Sequence, residues 1–321
     1  MGKLSFIIAV FLSLCAFIGL IFCPAASAGG ARAGLLLCSG IIIPSLFPFA
    51  VMGNVFVELG LPSRLSKFCS PITKLLFGVS GAGTAALFLG LAGGYPLGAI
   101  SVSEMYAKGT LQKKEAERLL GFCNNSGPAF IISVAGSAVF GSIKIGLFLY
   151  AVHIIAALFT GLLLKLGSSP EESTSLAIVA PNITGAFSES VKRATTAMVT
   201  VCGFVVFFSV LVGLLDATGT LSSLTGRIST LFGTELHFSR SLLTGFLEIG
   251  TGTSSMLGLQ ANAANLALCS FLVGWGGISV HAQASAVIRE GGLNPATHTF
   301  GKLLHGGLSA LITYFSYALF F

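Results

Sequence analysis

Two neighbouring amides and a hydroxyl interrupt an apolar segment in the first half of the chain. The segment 119–139 contains the string NNSGP, from Asn124 to Pro128. Each amide can donate and accept hydrogen bonds, and the serine adds a hydroxyl. Because proline suits the first turn of a helix, the break leaves backbone N–H groups free to face an anion. We predict that Asn124, Asn125 and Ser126 bind a solute; a cytoplasmic turn before the span is the alternative.

A second apolar segment, residues 84–107, is interrupted by the string GGYP at Gly93 to Pro96. Each flank has about ten residues, which is too short to cross a bilayer at about 1.5 Å per residue. Two short helices joined by GGYP therefore predict a re-entrant hairpin. Its glycines let the backbone approach a ligand, and Tyr95 can stack on a ring or bond through its hydroxyl. A simple surface loop is the alternative.

A matching hairpin is predicted from Leu242 onward in the second half. Its tip carries a carboxylate, Glu248, followed by the hydroxyls of Thr251, Thr253 and Ser254. An acid inside a membrane is a candidate H⁺ or Na⁺ carrier. The alternative is a glutamate that caps the hairpin at the membrane interface.

The segment 266–288 is broken by GWGGIS, from Gly274 to Ser279, and polar residues follow the break. Ser279, His281 and Gln283 alternate, so they share a face only if the segment is unwound. We predict Ser279 and Gln283 as solute ligands and His281 as a proton site. A packing histidine is the alternative for His281, and His153 is interpreted as structural.

Composition sets the class of protein in which these residues act. The chain has 321 residues, 54% hydrophobic and 9% charged, with a mean hydropathy of +0.93. Soluble domains carry roughly 25% charge, and helical spans need about 20 apolar residues. The apolar runs do not alternate, which argues against a barrel. We therefore predict an all-α polytopic membrane protein whose partners are the lipid bilayer and a small solute; the composition is also compatible with a homo-oligomer.

Several other functions lack their residue patterns. The net charge of +6 comes from residues in loops and predicts no nucleic-acid partner. The seven cysteines are scattered without metal-ligand spacing, and no phosphate-binding GxxxxGK[ST] string occurs. No nucleophile, base and orienting group cluster. We expect neither an enzyme nor a cofactor or metal, with Na⁺ or H⁺ coupling as the only ionic requirement.

Weak internal duplication relates the two halves of the chain. Residues 47–60 resemble residues 206–219 at an offset of 159, and Leu76–Gly78 matches Leu231–Gly233 at an offset of 155. Repeats of this kind are typical of secondary transporters, in which discontinuous helices surround a midplane site. We divide the chain into an N-terminal span (1–30), a first repeat (31–166), a linker (167–194) and a second repeat (195–321). A signal-like segment is the alternative for residues 1–30, because Pro24–Ala28 resembles a cleavage site.

Lysine and arginine positions indicate the topology. If both hairpins enter and leave on one side, thirteen lysines and arginines lie inside and four outside; crossing hairpins give about nine against eight. The bias predicts re-entrant hairpins, a cytoplasmic N-terminus and a cytoplasmic linker. Each repeat then crosses three times, so the second is inverted. The inside set is Lys3, Arg64, Lys67, Lys74, Lys108, Lys113, Lys114, Arg118, Lys165, Lys192, Arg193, Arg289 and Lys302.

Two expectations concern charged residues outside the predicted site. Glu115, Glu117 and Arg118 are expected to form one solvated face of a cytoplasmic helix. Lys302 is assigned to a loop, because the last span is taken to begin at Leu303.

Three strings resemble a known family. Pro44–Phe49 (PSLFPF), Gly93–Ala99 (GGYPLGA) and Phe122–Pro128 (FCNNSGP) are similar to sporulation integral membrane proteins of the YlbJ/SpoVV type. That type is grouped with the nucleoside recognition Gate proteins, which are related to concentrative nucleoside transporters. The resemblance covers roughly residues 30–321.

The resemblance implies transport of dipicolinic acid from the mother cell towards the forespore, across the mother-cell-derived outer forespore membrane. Dipicolinate is a flat dianion, which suits helix N-termini and the amide donors. The chain lacks a buried arginine pair to clamp it, which argues mildly against this substrate. A nucleoside carrier of the same architecture and a non-transporting membrane scaffold are the alternatives.

Overall fold

The computed structural model describes residues 3–166 and 183–321, which form fifteen α-helices and two π-helical segments without a strand. The helices of the first half are α1 Lys3–Phe22, α2 Pro24–Leu37, π1 Cys38–Ile42, α3 Ile43–Glu58, α4 Leu61–Phe77, α5 Gly81–Gly93, α6 Leu97–Ala107, α7 Lys113–Cys123, π2 Phe130–Val139 and α8 Ile143–Lys165. Those of the second half are α9 Ile183–Ala217, α10 Thr220–Phe232, α11 Leu236–Leu247, α12 Ile249–Ser255, α13 Ala263–Trp275, α14 Gly277–Glu290 and α15 Ala296–Phe320.

Five helical stretches of the described chain are long and apolar enough to cross a membrane. A sixth is counted if residues 68–77 and 81–93, bent by 91°, form one broken span. The prediction of an all-α polytopic membrane protein is therefore confirmed. The five stretches are Pro24–Phe56, Ile143–Lys165, Gly185–Ala217, Ala263–Glu290 and Ala296–Phe320.

Apolar side chains cover the outside of the protein and many polar ones lie inside. Phe11, Phe159 and Phe315 are at least half exposed, as expected for side chains that face lipid. Glu248, His298 and Lys302 are fully buried. Intramembrane ionisable groups usually face the interior of a bundle and mark functional sites. The interior is thus where the chemistry of this protein has to lie.

The order of elements repeats in the two halves. The run α2–π1–α3 corresponds to α9, and each later element of the first half has a counterpart in the second. Helices α4 and α10 both begin after a left-handed glycine, Gly60 and Gly219, and both end at another, Gly78 and Gly233. These pairs have the offsets of 159 and 155 seen in the matching strings.

Contacts between the halves are reciprocal. Helix α7 packs against α15, and its counterpart α13 packs against α8. In the same way α6 contacts α14, and α12 contacts π2. A two-fold rotation that exchanges the halves produces such pairs, which agrees with the inverted-repeat hypothesis.

Two element boundaries differ from the sequence-based expectation. Helix α2 begins at Pro24, inside the segment 1–30 that was assigned to the N-terminal span, since proline is favourable in the first turn of a helix. Residues 183–194, assigned to the linker, form the start of α9; the rest of that linker, 167–182, lies outside the described residues. Two contacts hold this first part of α9 against α3. Asn54 of α3 donates to the Ser190 carbonyl at 3.4 Å, and Arg193 lies 3.5 Å from Glu58 of α3.

The expectation of a solvated face on α7 is wrong for two of its three residues. Glu115 and Arg118 are buried, at 5% and 8% exposure. Glu115 accepts from the Ser80 N–H at 2.5 Å, and Arg118 donates to the Gly78 carbonyl at 2.5 Å. The chain turns sharply between α4 and α5, so these backbone groups lack helical partners and need side-chain ones.

Candidate functional site

Residues of both hairpins and both helix breaks line one cavity. Its atom-free space, including the part that is open to solvent, is about 490 Å³. Its walls are otherwise apolar and come from π1, α3, π2 and α9. The predicted site residues that line it are Tyr95, Ser126, Glu248, Ser279 and Gln283. A small apolar pocket with a few convergent polar groups is typical of a small-molecule site.

The tip of the first hairpin lies directly against the first helix break. Gly94 has a φ of 80°, and a Cβ at this position would lie 2.9 Å from the Gly127 nitrogen. Only glycine allows both this conformation and this approach. The Tyr95 hydroxyl then reaches the other half and donates to the Val273 carbonyl at 3.3 Å.

Glu248 caps the short helix α12. Its carboxylate accepts from the Gly250 N–H at 2.9 Å and from the Thr251 N–H at 2.5 Å. The side chain is fully buried and also borders the cavity. The geometry therefore gives Glu248 a structural task, and its role as an ion carrier stays a prediction.

Two buried polar atoms at the cavity have no hydrogen-bond partner within the described protein. They are Ser279 Oγ and Gln283 Oε1, on residues with 0% and 4% exposure. The Ser279 hydroxyl approaches the Glu248 carboxylate without hydrogen-bonding geometry. Buried polar atoms are normally paired, so these two are available to a ligand.

The hydroxyls predicted at the second hairpin tip lie outside the cavity lining, because α12 is helical rather than extended. Thr251 pairs with the Ser209 hydroxyl at 3.3 Å. Thr253 is buried, and its hydroxyl has no partner among the described residues. Ser254 is half-buried. Their role as solute ligands stays a prediction.

Asn124 and Asn125 lie behind the cavity wall and organise the interior. Asn124 accepts from the Ala99 N–H at 3.3 Å and donates to His298 Nε2 at 3.0 Å. Asn125 donates to the Phe122 carbonyl at 2.8 Å and accepts from Lys302 Nζ at 3.3 Å. Both are fully buried, and neither lines the cavity.

A buried lysine and two histidines complete this interior network, which the sequence-based prediction missed. Lys302 Nζ lies 2.7 Å from His305 Nδ1, and His305 Nε2 donates to the His153 carbonyl at 3.0 Å. His153 Nε2 in turn accepts from the Ser126 N–H at 3.2 Å. We call Asn124, Asn125, His153, His298, Lys302 and His305 the polar cluster.

The spacing on α15 contained a signal for the polar cluster. His298, Lys302 and His305 stand at positions i, i+4 and i+7, on one helix face. Starting the last span at Leu303 concealed it, because Lys302 was then assigned to a loop. The assignment was wrong, since Lys302 is fully buried inside α15. Without Lys302, twelve lysines and arginines lie inside and four outside, so the excess of positive charge on the inside remains.

His281 packs into the same region. Its Nε2 donates to the Trp275 carbonyl at 3.1 Å, and its ring centroid lies 4.0 Å from that of Trp275 and 5.1 Å from that of His298. Its role in ion coupling stays a prediction. Within residues 3–166 and 183–321, no group of three or more His, Cys, Asp or Glu is arranged to hold a metal ion.

A second, wider cleft adjoins the cavity. Its atom-free space, including the part that is open to solvent, is about 1080 Å³, and its lining contains Glu104, Glu189, Lys192 and Arg193. Gln283 borders both the cleft and the cavity. The amide therefore lies between the pocket and a charged opening.

Comparison with known proteins finds a sporulation protein that is similar over most of the chain. Over 313 residues, the chain is 26% identical to sporulation integral membrane protein YlbJ of Bacillus subtilis. The match covers 90% of this chain and 77% of YlbJ. This similarity supports a YlbJ-type family. No family profile matches the chain, so membership of the Gate group stays a prediction. No solved structure matches it either.

The single tryptophan of the chain can report on the cavity. Trp275 stacks on Phe246 at 4.9 Å, donates to the Phe246 carbonyl at 3.1 Å, and precedes the break that presents Ser279. We expect a solute in the cavity to change the fluorescence intensity of Trp275, because residues just after the following break line the cavity. A saturable change on titration checks this. A Trp275→Phe variant provides the blank, and a signal unaffected by any solute that binds would contradict the prediction.

Proposed function

We propose that this protein is a secondary transporter of a small aromatic or heterocyclic anion. The observation that carries the proposal is the cavity at which both hairpins and both helix breaks converge, with the amide of Gln283, whose NH₂ group can donate to an anion, buried beside it. Discontinuous helices around such a site are typical of secondary transporters. The proposal assigns no enzymatic activity and no cofactor.

The cleft supports a route to the cavity. Lys192 and Arg193 lie on its wall, at the side where the inside bias places the cytoplasm. Glu104 and Glu189 lie on the same wall, and Arg193 is 3.4 Å from Glu189, so the entrance carries charges of both signs. We propose that solute enters through this cleft, passes Gln283 and occupies the cavity, and that the two halves then rock to open the other side. Coupling to H⁺ or Na⁺ is part of the proposal.

Similarity to YlbJ supports a membrane role in sporulation, since that relative is named as a sporulation integral membrane protein. Within this role, we propose dipicolinate as the solute and export from the mother cell towards the forespore, across the outer forespore membrane. The lining supports a flat dianion chemically, because it offers an aromatic ring and a serine hydroxyl beside a helix break.

Flux measurements in proteoliposomes test the proposal. We expect the purified full chain to move labelled dipicolinate at a saturable rate above protein-free vesicles. Movement of labelled uridine without dipicolinate would instead favour a nucleoside carrier. Flux of neither compound, together with stable co-purification of a partner protein, would favour a membrane scaffold.

Replacing Gln283 with leucine is expected to lower dipicolinate transport at subsaturating concentration by about tenfold. A hydrogen bond from the Gln283 NH₂ group to a solute carboxylate would contribute about 1.5–3 kcal/mol, and about 1.4 kcal/mol corresponds to a factor of ten. Gln260→Leu is the matched control, because Gln260 is exposed and distant from the cavity lining. Equal rates in the two variants would contradict a solute contact by Gln283.

A further inference from the structure

Lys302 is a fully buried lysine whose three neighbours are all acceptors. Its Nζ faces His305 Nδ1 at 2.7 Å, Asn125 Oδ1 at 3.3 Å and the Tyr95 ring, whose centroid is 5.2 Å away. An ammonium group has three N–H donors and no acceptor. Two acceptor atoms and one aromatic face satisfy these three donors.

The hydrogen bonds around Lys302 specify which atoms carry protons. His305 Nε2 points at a carbonyl oxygen, so it carries the proton and leaves Nδ1 as an acceptor. Asn125 donates its NH₂ to the Phe122 carbonyl, which directs its oxygen towards Lys302. A neutral amine would leave its lone pair without a donor. The surroundings therefore fit a protonated Lys302.

The charge of Lys302 has no partner of opposite sign in the described part of the chain. No carboxylate there lies within ion-pair distance of its Nζ. The other titratable groups near it are Cys123, His153, His281 and His298. Their hydrogen bonds fit neutral imidazoles, and Glu248 is already bound by two backbone N–H groups. A buried charge inside a membrane is costly unless an opposite charge compensates it.

Lys302 lies one side chain behind the cavity wall at two points. The Tyr95 ring contacts Lys302 and also lines the cavity. Asn125 binds Lys302 and directly precedes Ser126, another lining residue. A negative charge in the cavity would thus lie close to the ammonium, with little water between them.

We propose that Lys302 is the charge-selecting residue of the cavity: its ammonium group compensates a carboxylate of the bound solute, and the site therefore prefers anions to neutral molecules of the same shape. This inference rests on the proposed function, which it deepens. It also supplies the cation that the absent arginine pair would otherwise provide. The polar cluster then has a clear task, which is to hold the lysine protonated and oriented.

The expected selectivity follows from Coulomb's law. A solute in contact with the Tyr95 ring would place its carboxylate about 8 Å from Lys302. At an effective dielectric constant of about 20, the attraction between these two charges raises the affinity roughly tenfold or more per unit charge of the solute. Removal of the lysine charge should cancel that preference while leaving the shape of the pocket similar.

The test compares an anion with its neutral isostere. Dipicolinate and pyridine-2,6-dicarboxamide are titrated into the purified full chain, with Trp275 fluorescence or thermal stabilisation as the readout. We expect the wild type to prefer dipicolinate and Lys302→Met to lower the ratio of the two affinities at least tenfold. Lys302→Arg should retain the preference. Lys113→Met, which removes an exposed lysine at the start of α7, is the control.

A second variant guards against misfolding of Lys302→Met. Asn125→Asp has nearly the same size and places a carboxylate beside the ammonium, so it should abolish the preference for dipicolinate while Lys302 stays in place. An unchanged affinity ratio in both variants, or a wild type that binds no anion or prefers the diamide, would overturn the inference.

The two proposals fail differently. If the wild type prefers dipicolinate in a lysine-dependent way but moves none in proteoliposomes, the transport proposal fails and the charge selection stands. If the wild type transports dipicolinate and Lys302→Met keeps both rate and selectivity, the charge selection fails and transport stands.

Discussion

Gly90→Ala is expected to prevent the first hairpin from docking and to lower the free energy of unfolding by about 3 kcal/mol or more. A Cβ at Gly90 would lie 1.6 Å from the Cys123 carbonyl oxygen and 2.8 Å from its carbon. Both atoms belong to the backbone just before the NNSGP break, so no rotamer change relieves the overlap. Helix α5 would have to move away from α7, and the cavity would lose its hairpin wall.

Two glycine controls make this prediction specific. Gly307→Ala adds a methyl group to α15 where no atom of another described element lies within 4 Å, and it should be neutral or slightly stabilising. Gly245, the repeat counterpart of Gly90, would meet only the end of the Leu272 side chain at 2.5 Å, so Gly245→Ala should be milder. Thermal unfolding in detergent, followed by Trp275 fluorescence, compares the three. If Gly90→Ala unfolds at the same temperature as Gly307→Ala, the close approach of Gly90 to the Cys123 carbonyl would be disproved.

Glu248→Ala is expected to lower the free energy of unfolding by about 2 kcal/mol or more, because it leaves two buried N–H groups of α12 unpaired. Both carboxylate oxygens accept from these groups, and the site is fully buried. Glu248→Gln retains one acceptor and should cost less. Thermal unfolding of the purified variants provides the measurement.

A matched control exists at the start of the preceding helix. Glu235 is also an N-cap residue, but it is exposed and its side chain makes no capping bond, so Glu235→Ala should change the stability little.

The Glu248 variants also test ion coupling. If Glu248 acts as a carrier, Glu248→Gln should stay folded and lose the dependence of transport on an H⁺ or Na⁺ gradient. If it only caps α12, stability should fall and that dependence should remain.

Which segments break inside the membrane could be predicted from the sequence. Glycine and proline within apolar runs interrupt helices irrespective of their neighbours, so GGYP and NNSGP were recognisable as tips and breaks. The prediction that the hairpin tips and the helix breaks form one site depended only on pairing these interruptions through the repeat. Of the predicted solute ligands, Tyr95, Ser126, Ser279 and Gln283 line one cavity, whereas Asn124, Asn125, Thr251, Thr253 and Ser254 do not.

The roles of the two asparagines could not be derived in this way. The amides of Asn124 and Asn125 can donate and accept hydrogen bonds, as a ligand contact requires. Their side chains nevertheless point away from the cavity, to His298 and Lys302. Side-chain direction at a helix break depends on local backbone angles and on partners far along the chain. The partners here are 174 and 177 residues away, beyond any local pattern.

The sequence by itself determined that this chain is helical and spans a membrane, because its apolar runs leave too few polar side chains for a soluble surface. It also determined where those helices break, through glycine and proline. Only the tertiary structure decided that Lys302 is buried among acceptors behind Tyr95. A lysine near a span end is equally compatible with a loop, and its burial depends on packing of α15 against α7, α8 and α13. Burial and partner geometry, rather than residue type, make it a candidate charge-selecting group.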